Sequence, residues 1–324
     1  MKKAIITGGA GFIGSFMSKK LIEEGYYIFI LDNLFRGRKE NIEDLLLDKS
    51  AELIITDLAD ISCKLTISNL LKENNDIDLI IHYAAINGTQ FFYDKPQEVA
   101  KVNSIATYHL MESLLDNKDI LNSSLKLIFA STSETYGEPF NLPTNESDLT
   151  YFRINEDRDS YAVAKMMSEF YVRLYSKKID LDFIILRIFN VYGPKMVGTK
   201  YGQVVPEFIN RLKQGEYPLK LIGSGQQKRS FIYIEDHVNL TWKIIKSNAK
   251  NEIINLGNDE EISIIDLANN IMSSMGLEPS YETSEDRSGD HMRRQPDISK
   301  LLEIVGGYNF IDLETGLRKC LSND

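Results

Sequence analysis

Short apolar runs alternating with amphipathic stretches set the pattern of the first half of the chain. Lys3 to Ile6 is a short, mostly apolar run. It breaks into Thr7-Gly8-Gly9-Ala10-Gly11-Phe12-Ile13-Gly14, after which Phe16, Met17, Leu21 and Ile22 recur at helical spacing. This predicts strand, glycine turn, helix. Further apolar runs at Tyr26 to Leu31 and Leu53 to Ile55 end in Asp32-Asn33 and Asp57. Leu79 to Ile81 is followed by His82, and Leu125 to Phe129 by Ala130-Ser131-Thr132, with a helical pattern around Val102 to Leu115 between them. Phe183 to Ile188 is a sixth strand. Strands alternating with helices imply a parallel, doubly wound α/β sheet of Rossmann type, because parallel neighbours need a crossover and a helix supplies it.

Beyond Asn190-Val191-Tyr192-Gly193-Pro194 the alternation weakens. A helix is expected near Val205 to Lys213, a strand at Phe231 to Ile234, another helix at Ile262 to Met275, and a polar stretch from Glu282 to Arg294. We read residues 1–188 as a dinucleotide-binding domain. Residues 189–324 read as a smaller α/β substrate-binding domain laid over the strand ends, with an interleaved boundary.

Composition narrows the function classes. With 43% hydrophobic and 26% charged residues, the 324-residue chain is neither disordered nor fibrous. Its net charge of −10 disfavours nucleic acid or an anionic membrane as the main partner. Cys63 and Cys320 cannot build a disulfide framework, and no apolar run is long enough to span a bilayer, so a cytoplasmic location is expected. His82, His109, His237 and His291 show no metal-ligand spacing, so no metal is expected; His82 reads as a structural histidine.

Gly8, Gly11 and Gly14 sit between a strand and its helix. There glycines allow a tight turn and close approach of backbone to a pyrophosphate at the positive helix end. Phe12, Ile13, Asp32, Asn33, Asp57 and Leu58 complete the expected dinucleotide contacts. Asp32 would accept from the ribose hydroxyls and repel a 2′-phosphate, which favours NAD over NADP. Arg36, Arg38 and Lys39 are either solvated loop charges or reach a phosphate. Tyr161 and Lys165, four residues apart on one helix face, pair a phenol with an ammonium. Such a pair is expected to lower the phenol pKa and make Tyr161 a general base for a hydroxyl. Ser131-Thr132-Ser133-Glu134 supplies hydroxyls and a carboxylate at the same rim.

These segments, with His82-Tyr83-Ala84-Ala85, Phe189 to Pro194, Arg229 to Tyr233 and Arg294-Gln295-Pro296-Asp297-Ile298, occur in an order that resembles a known family. It is the extended short-chain dehydrogenase/reductase family of NAD-dependent nucleotide-sugar epimerases and dehydratases. The GDP-mannose 4,6-dehydratases and UDP-glucuronate decarboxylases are the nearest subgroups. The resemblance implies oxidation of the sugar C4 hydroxyl, with Tyr161 as base, Thr132 bonded to the same oxygen and Lys165 on the nicotinamide ribose. It implies a supporting role for Asn103, and a nucleoside-diphosphate grip by Asn190, Arg229 and Arg294, with Asn87 contacting substrate. Glu134 would act at C5 or C6, making 4,6-dehydration the favoured second step over decarboxylation, 4-epimerisation or release of a 4-keto sugar. Ile86-Asn87-Gly88-Thr89-Gln90-Phe91-Phe92-Tyr93 departs from both subgroups and leaves the sugar open. The resemblance also implies a homodimer or higher homo-oligomer built on the helices carrying Asn103 and Tyr161.

Overall fold

The computed structural model describes residues 1–198, 203–285 and 292–322; His291 lies outside them. The predicted strands form as β1 (Lys2–Thr7), β2 (Tyr26–Asp32), β3 (Ala51–Ile55), β4 (Ile77–His82), β5 (Lys126–Thr132) and β6 (Asp182–Ile188). They line up as β6-β5-β4-β1-β2-β3, every pairing parallel. A seventh strand, Glu252–Leu256, joins the outer side of β6 from far along the chain. Its short Ile253-Ile254 core, set among polar residues, gives no clear strand pattern.

Successive side chains of a strand point to opposite faces, so the apolar runs divide into two cores. Ala4, Ile6, Ile28, Ile30, Leu79, Ile81 and Ile128 pack on one face. Ile5, Phe29, Leu31, Ile80, Leu127 and Phe129 pack on the other. Continuous apolar strands are what a parallel sheet covered by helices on both sides requires. The helix around Asn103 runs Pro96–Asp116 and begins with proline at its first position, where a missing N–H costs nothing.

The second half corrects two element boundaries. Strand structure at Phe231 to Ile234 shrinks to Ile232–Tyr233, which pairs with Val191–Tyr192. Ile234 already opens a helix to Lys246, with Glu235 and Asp236 in the first turn, where acids favour the helix dipole. The helix expected from Ile262 starts at Ile264, because Ser263 caps it by accepting from the Asp266 N–H at 3.0 Å, and Glu261–Ser263 becomes a strand beside Lys228–Ser230. Strand order reverses between β1 and β4, and the crevice outside the strand ends at that point is the expected ligand site.

Candidate active site

A cleft of about 540 Å³ opens at that switch point. On its cofactor side, Gly8 holds φ +70°, and a Cβ on Gly14 would stand 2.1 Å from the Gly8 carbonyl oxygen. The helix Phe12–Glu23 therefore starts flush against the end of β1. Its N-cap is Gly11, which brings no capping side chain, so the helix terminus is left to a ligand. Asp32, at the end of β2, is buried, and its carboxylate accepts from the N–H groups of Ala10 (3.0 Å) and Leu34 (2.8 Å). Burial raises its pKa above the usual carboxylate value, against those two bonds. Phe12, Ile13, Asn33, Asp57 and Leu58 line the same cleft. A cradle that a Cβ would fill, an uncapped helix terminus and a buried acceptor at β2 fit a dinucleotide. Arg36 turns away from that acceptor. Its guanidinium donates to the Asn87 carbonyl at 2.9 Å and lies 5.2 Å from the Phe91 ring centre, tying the 86–93 loop to the cofactor loop.

The reactive side stands where β5 meets the helix Asp159–Ile179. Thr132 Oγ1 accepts from the Glu134 N–H at 3.2 Å, which starts the single turn Ser133–Tyr136 and leaves the hydroxyl proton for Tyr161. Lys165 is fully buried and donates to the Ala130 carbonyl at 2.8 Å, over the Phe129 ring. Burial brings its pKa down to about 7, with the charge of Glu169 opposing. The Tyr161 phenol moves the other way. Burial raises its pKa first and the Glu134 charge adds to that, while Thr132 pulls it down. The expectation that Lys165 lowers the Tyr161 phenol is thus corrected: desolvation wins, and the ammonium is spent on a backbone carbonyl. Phe92 is one of the groups that cover Tyr161, stacking on its ring at 4.7 Å and 16°.

Glu134 is a half-buried carboxylate between two guanidinium groups, Arg294 at 2.5 Å and Arg158 at 3.6 Å. The sequence reading put Arg294 with Arg229 on a diphosphate. In the structure Arg229 and Asn190 line the cleft, whereas Arg294 is buried under Glu134 and also donates to the Gly137 carbonyl at 3.3 Å. Asn190 Nδ2 donates to the Ser230 carbonyl, and Asn87 lines the cleft with its Oδ1 accepting from the Gly88 N–H. The Asn103 amide clamps the Ile86 N–H and carbonyl, fixing the chain just before Asn87 and the short helix Thr89–Asp94 that carries Phe92. His82 is structural, held between the hydroxyls of Thr7 (2.6 Å) and Thr107 (3.0 Å), and burial lowers its pKa to about 3.

Sequence reasoning missed Arg158 and Phe92. Arg158 lies three residues before Tyr161, a signal visible only once Glu134 is known to face that helix. Phe92 belongs to the divergent loop, but its stacking partner is distant in sequence.

Residues 4–257 match the NAD-dependent epimerase/dehydratase family. UDP-glucuronic acid decarboxylase 1 of Xenopus tropicalis is 32% identical over 320 residues, covering 99% of this chain and 71% of that protein. UDP-N-acetyl-alpha-D-glucosaminuronate decarboxylase of Bacillus cytotoxicus is 31% identical over 326 residues, covering 99% and 97%. The crystal structure of UDP-glucose 4-epimerase from Thermotoga maritima, with UDP-glucose, superposes with a TM-score of 0.87 at 27% identity, covering 99% of this chain and 98% of that one. The chain belongs to the NAD-dependent epimerase/dehydratase family, within the extended short-chain dehydrogenase/reductase class, and its cofactor is NAD.

Proposed function

We propose that this chain oxidises C4 of a nucleotide-linked sugar, with a GDP or UDP carrier, and that Glu134 then acts at C5 and C6 to complete a 4,6-dehydration. The observation that carries this is the convergence of Thr132, Glu134, Tyr161 and Lys165 on the rim of one cleft whose other end fits the dinucleotide. NAD, when bound, supplies the hydride acceptor. Tyr161 takes the C4 hydroxyl proton, with the Thr132 hydroxyl bonded to the same oxygen. Lys165 holds the nicotinamide ribose, and Asn190 and Arg229 hold the diphosphate. A 4-keto group acidifies the neighbouring C5 proton. Glu134, the carboxylate at the same rim as Tyr161, would take that proton and give it to the departing C6 hydroxyl, which leaves as water; the hydride removed from C4 would return to C6 and a proton to C5, so the net change is loss of water with the cofactor restored.

Decarboxylation has its own support. The chain is similar over nearly its whole length to two uronate decarboxylases, and two arginines beside Glu134 suit a C5 carboxylate. Mass spectrometry of products from GDP-, UDP-, CDP- and dTDP-sugars and UDP-glucuronate, each with NAD, separates the readings. Loss of water supports dehydration, and loss of carbon dioxide supports the second reading. An unchanged mass with a new chromatographically resolved isomer indicates epimerisation, and a 4-keto product with stoichiometric NADH indicates a reaction that stops after oxidation.

The active unit we propose is a homodimer in the cytoplasm. Val163, Met167, Phe170 and Leu174 form an exposed apolar stripe on the Tyr161 helix. Light scattering at micromolar concentration is expected to give at least twice the 37.0 kDa chain mass.

A further inference from the structure

The helix Asp159–Ile179 carries a third polar residue on the face that bears Tyr161 and Lys165. Glu169 follows Lys165 by one more step of four, so the three stand in a row one turn apart. Three consecutive residues at the end of β5 meet them. The Ala130 carbonyl accepts from Lys165, the Ser131 hydroxyl donates to Glu169 Oε1 at 2.5 Å, and the Thr132 hydroxyl faces Tyr161. Glu169 is 4% exposed. It is gripped from β6 by Arg187, whose Nε donates to Oε1 at 3.0 Å and whose second nitrogen donates to Oε2 at 2.8 Å. Arg187 in turn lies 4.6 Å over the Tyr136 ring, whose hydroxyl donates to Asn255 Oδ1 at 2.6 Å. Arg187 and Ser131 thus offset the cost of burying this carboxylate, and they fix its position.

We propose that Glu169 is a positioning residue of the reactive site. Anchored by Ser131 and Arg187, it aligns the Tyr161 helix on the end of β5 and places a carboxylate one turn from Lys165, on the same helix face. The other charged and titratable groups around Lys165 do not supply such a charge. From β4 comes His82, neutral and engaged by two threonines. From β6 comes Arg187, a cation paired with Glu169. From the turn after β5 comes Glu134, which acts on Tyr161 and is ion-paired with Arg158 and Arg294. On the Pro96–Asp116 helix, His109 bonds the Leu58 carbonyl and Glu112 bonds Tyr175. Burial disfavours the ionised form of Tyr161, so it adds no negative charge beside Lys165 at rest. Among these, Glu169 is the group that favours the charged lysine.

The inference rests on the reading that Lys165 contacts the cofactor, so the test uses NADH as probe and needs no sugar. NADH affinity is measured by fluorescence between about pH 5 and pH 9. In the unaltered chain, affinity is expected to weaken as Lys165 loses its proton. In Glu169→Gln, which keeps the shape and the acceptor for Ser131, this weakening is expected to begin about one pH unit lower. Affinity below that limb should stay within about twofold of the unaltered chain. Glu169→Gln/Arg187→Gln removes both buried charges and keeps the test available if the single variant fails to fold; a displacement in the same direction but smaller is expected, because the cation is gone as well. Lys165→Met should show no limb. A limb at the same pH in the unaltered chain and the Glu169 variants, or no limb in any of them, overturns the proposal. A chain that binds no NADH at any pH overturns the cofactor reading with it.

Discussion

The two ends of the cleft are built by different means. At the cofactor end the work is done by backbone: a glycine turn, an uncapped helix terminus and one carboxylate at the close of β2. At the sugar end it is done by side chains borrowed from distant segments. Glu134 is paired with Arg158 and Arg294, Tyr161 is covered by Phe92, and Arg36 reaches across to Asn87. A backbone site is encoded in a few adjacent residues and resists change. A side-chain site can be rebuilt by substituting one loop, which is how one scaffold serves several sugar chemistries.

The comparison breaks first, and most severely, at Gly14→Ala. The added Cβ would stand 2.1 Å from backbone oxygen and 2.7 Å from the Gly9 Cα, with no flexible side chain to yield. A stability loss of about 3 kcal/mol or more in thermal unfolding is expected, with loss of NADH binding. Tyr161→Phe is next. Removing the base should lower kcat by roughly 10²- to 10⁴-fold while NADH titration is unaffected, and undiminished turnover would remove Tyr161 from the chemistry. Glu134→Gln sharpens the division within the sugar end. Overall turnover should fall about 100-fold, but C4 oxidation should persist and appear as NADH absorbance in single-turnover mixing. A 4-epimerase would keep full activity in this variant. The smallest effect is expected from Phe92→Ala. Burial is the first cause of the raised Tyr161 pKa, so exposing the ring lowers it. A base must be ionised to act, so the acid limb of kcat should move to lower pH, by up to about one unit.

The same contrast explains what could be read along the chain. β1 to β6, the glycine turn and Asp32 are local patterns, and the sheet forms where the apolar runs lie. Tyr161 and Lys165 announced themselves by helical spacing. Their electrostatics did not, because the carbonyl that receives Lys165 and the ring that stacks on Tyr161 are contributed by β5 and by the short helix Thr89–Asp94. Arg294 is the clearest case. Its position in a motif says that it matters, whereas its pairing with Glu134 joins residues 160 apart in the sequence and depends on how the last segment returns to the sheet. The strand at Glu252–Leu256 was hidden for a related reason: five residues at a sheet edge need little apolar content once β6 offers its hydrogen-bonding groups.

That returning strand bears on how the protein is made. A nascent chain ending near residue 188 has β6 in place but its outer edge bare, with Ile184 to Ile188 awaiting partners that are some 65 residues from synthesis. An unpaired parallel edge is a template for other chains. Closure over so long a loop is slow, so the cofactor half remains open to self-association until the second half has emerged.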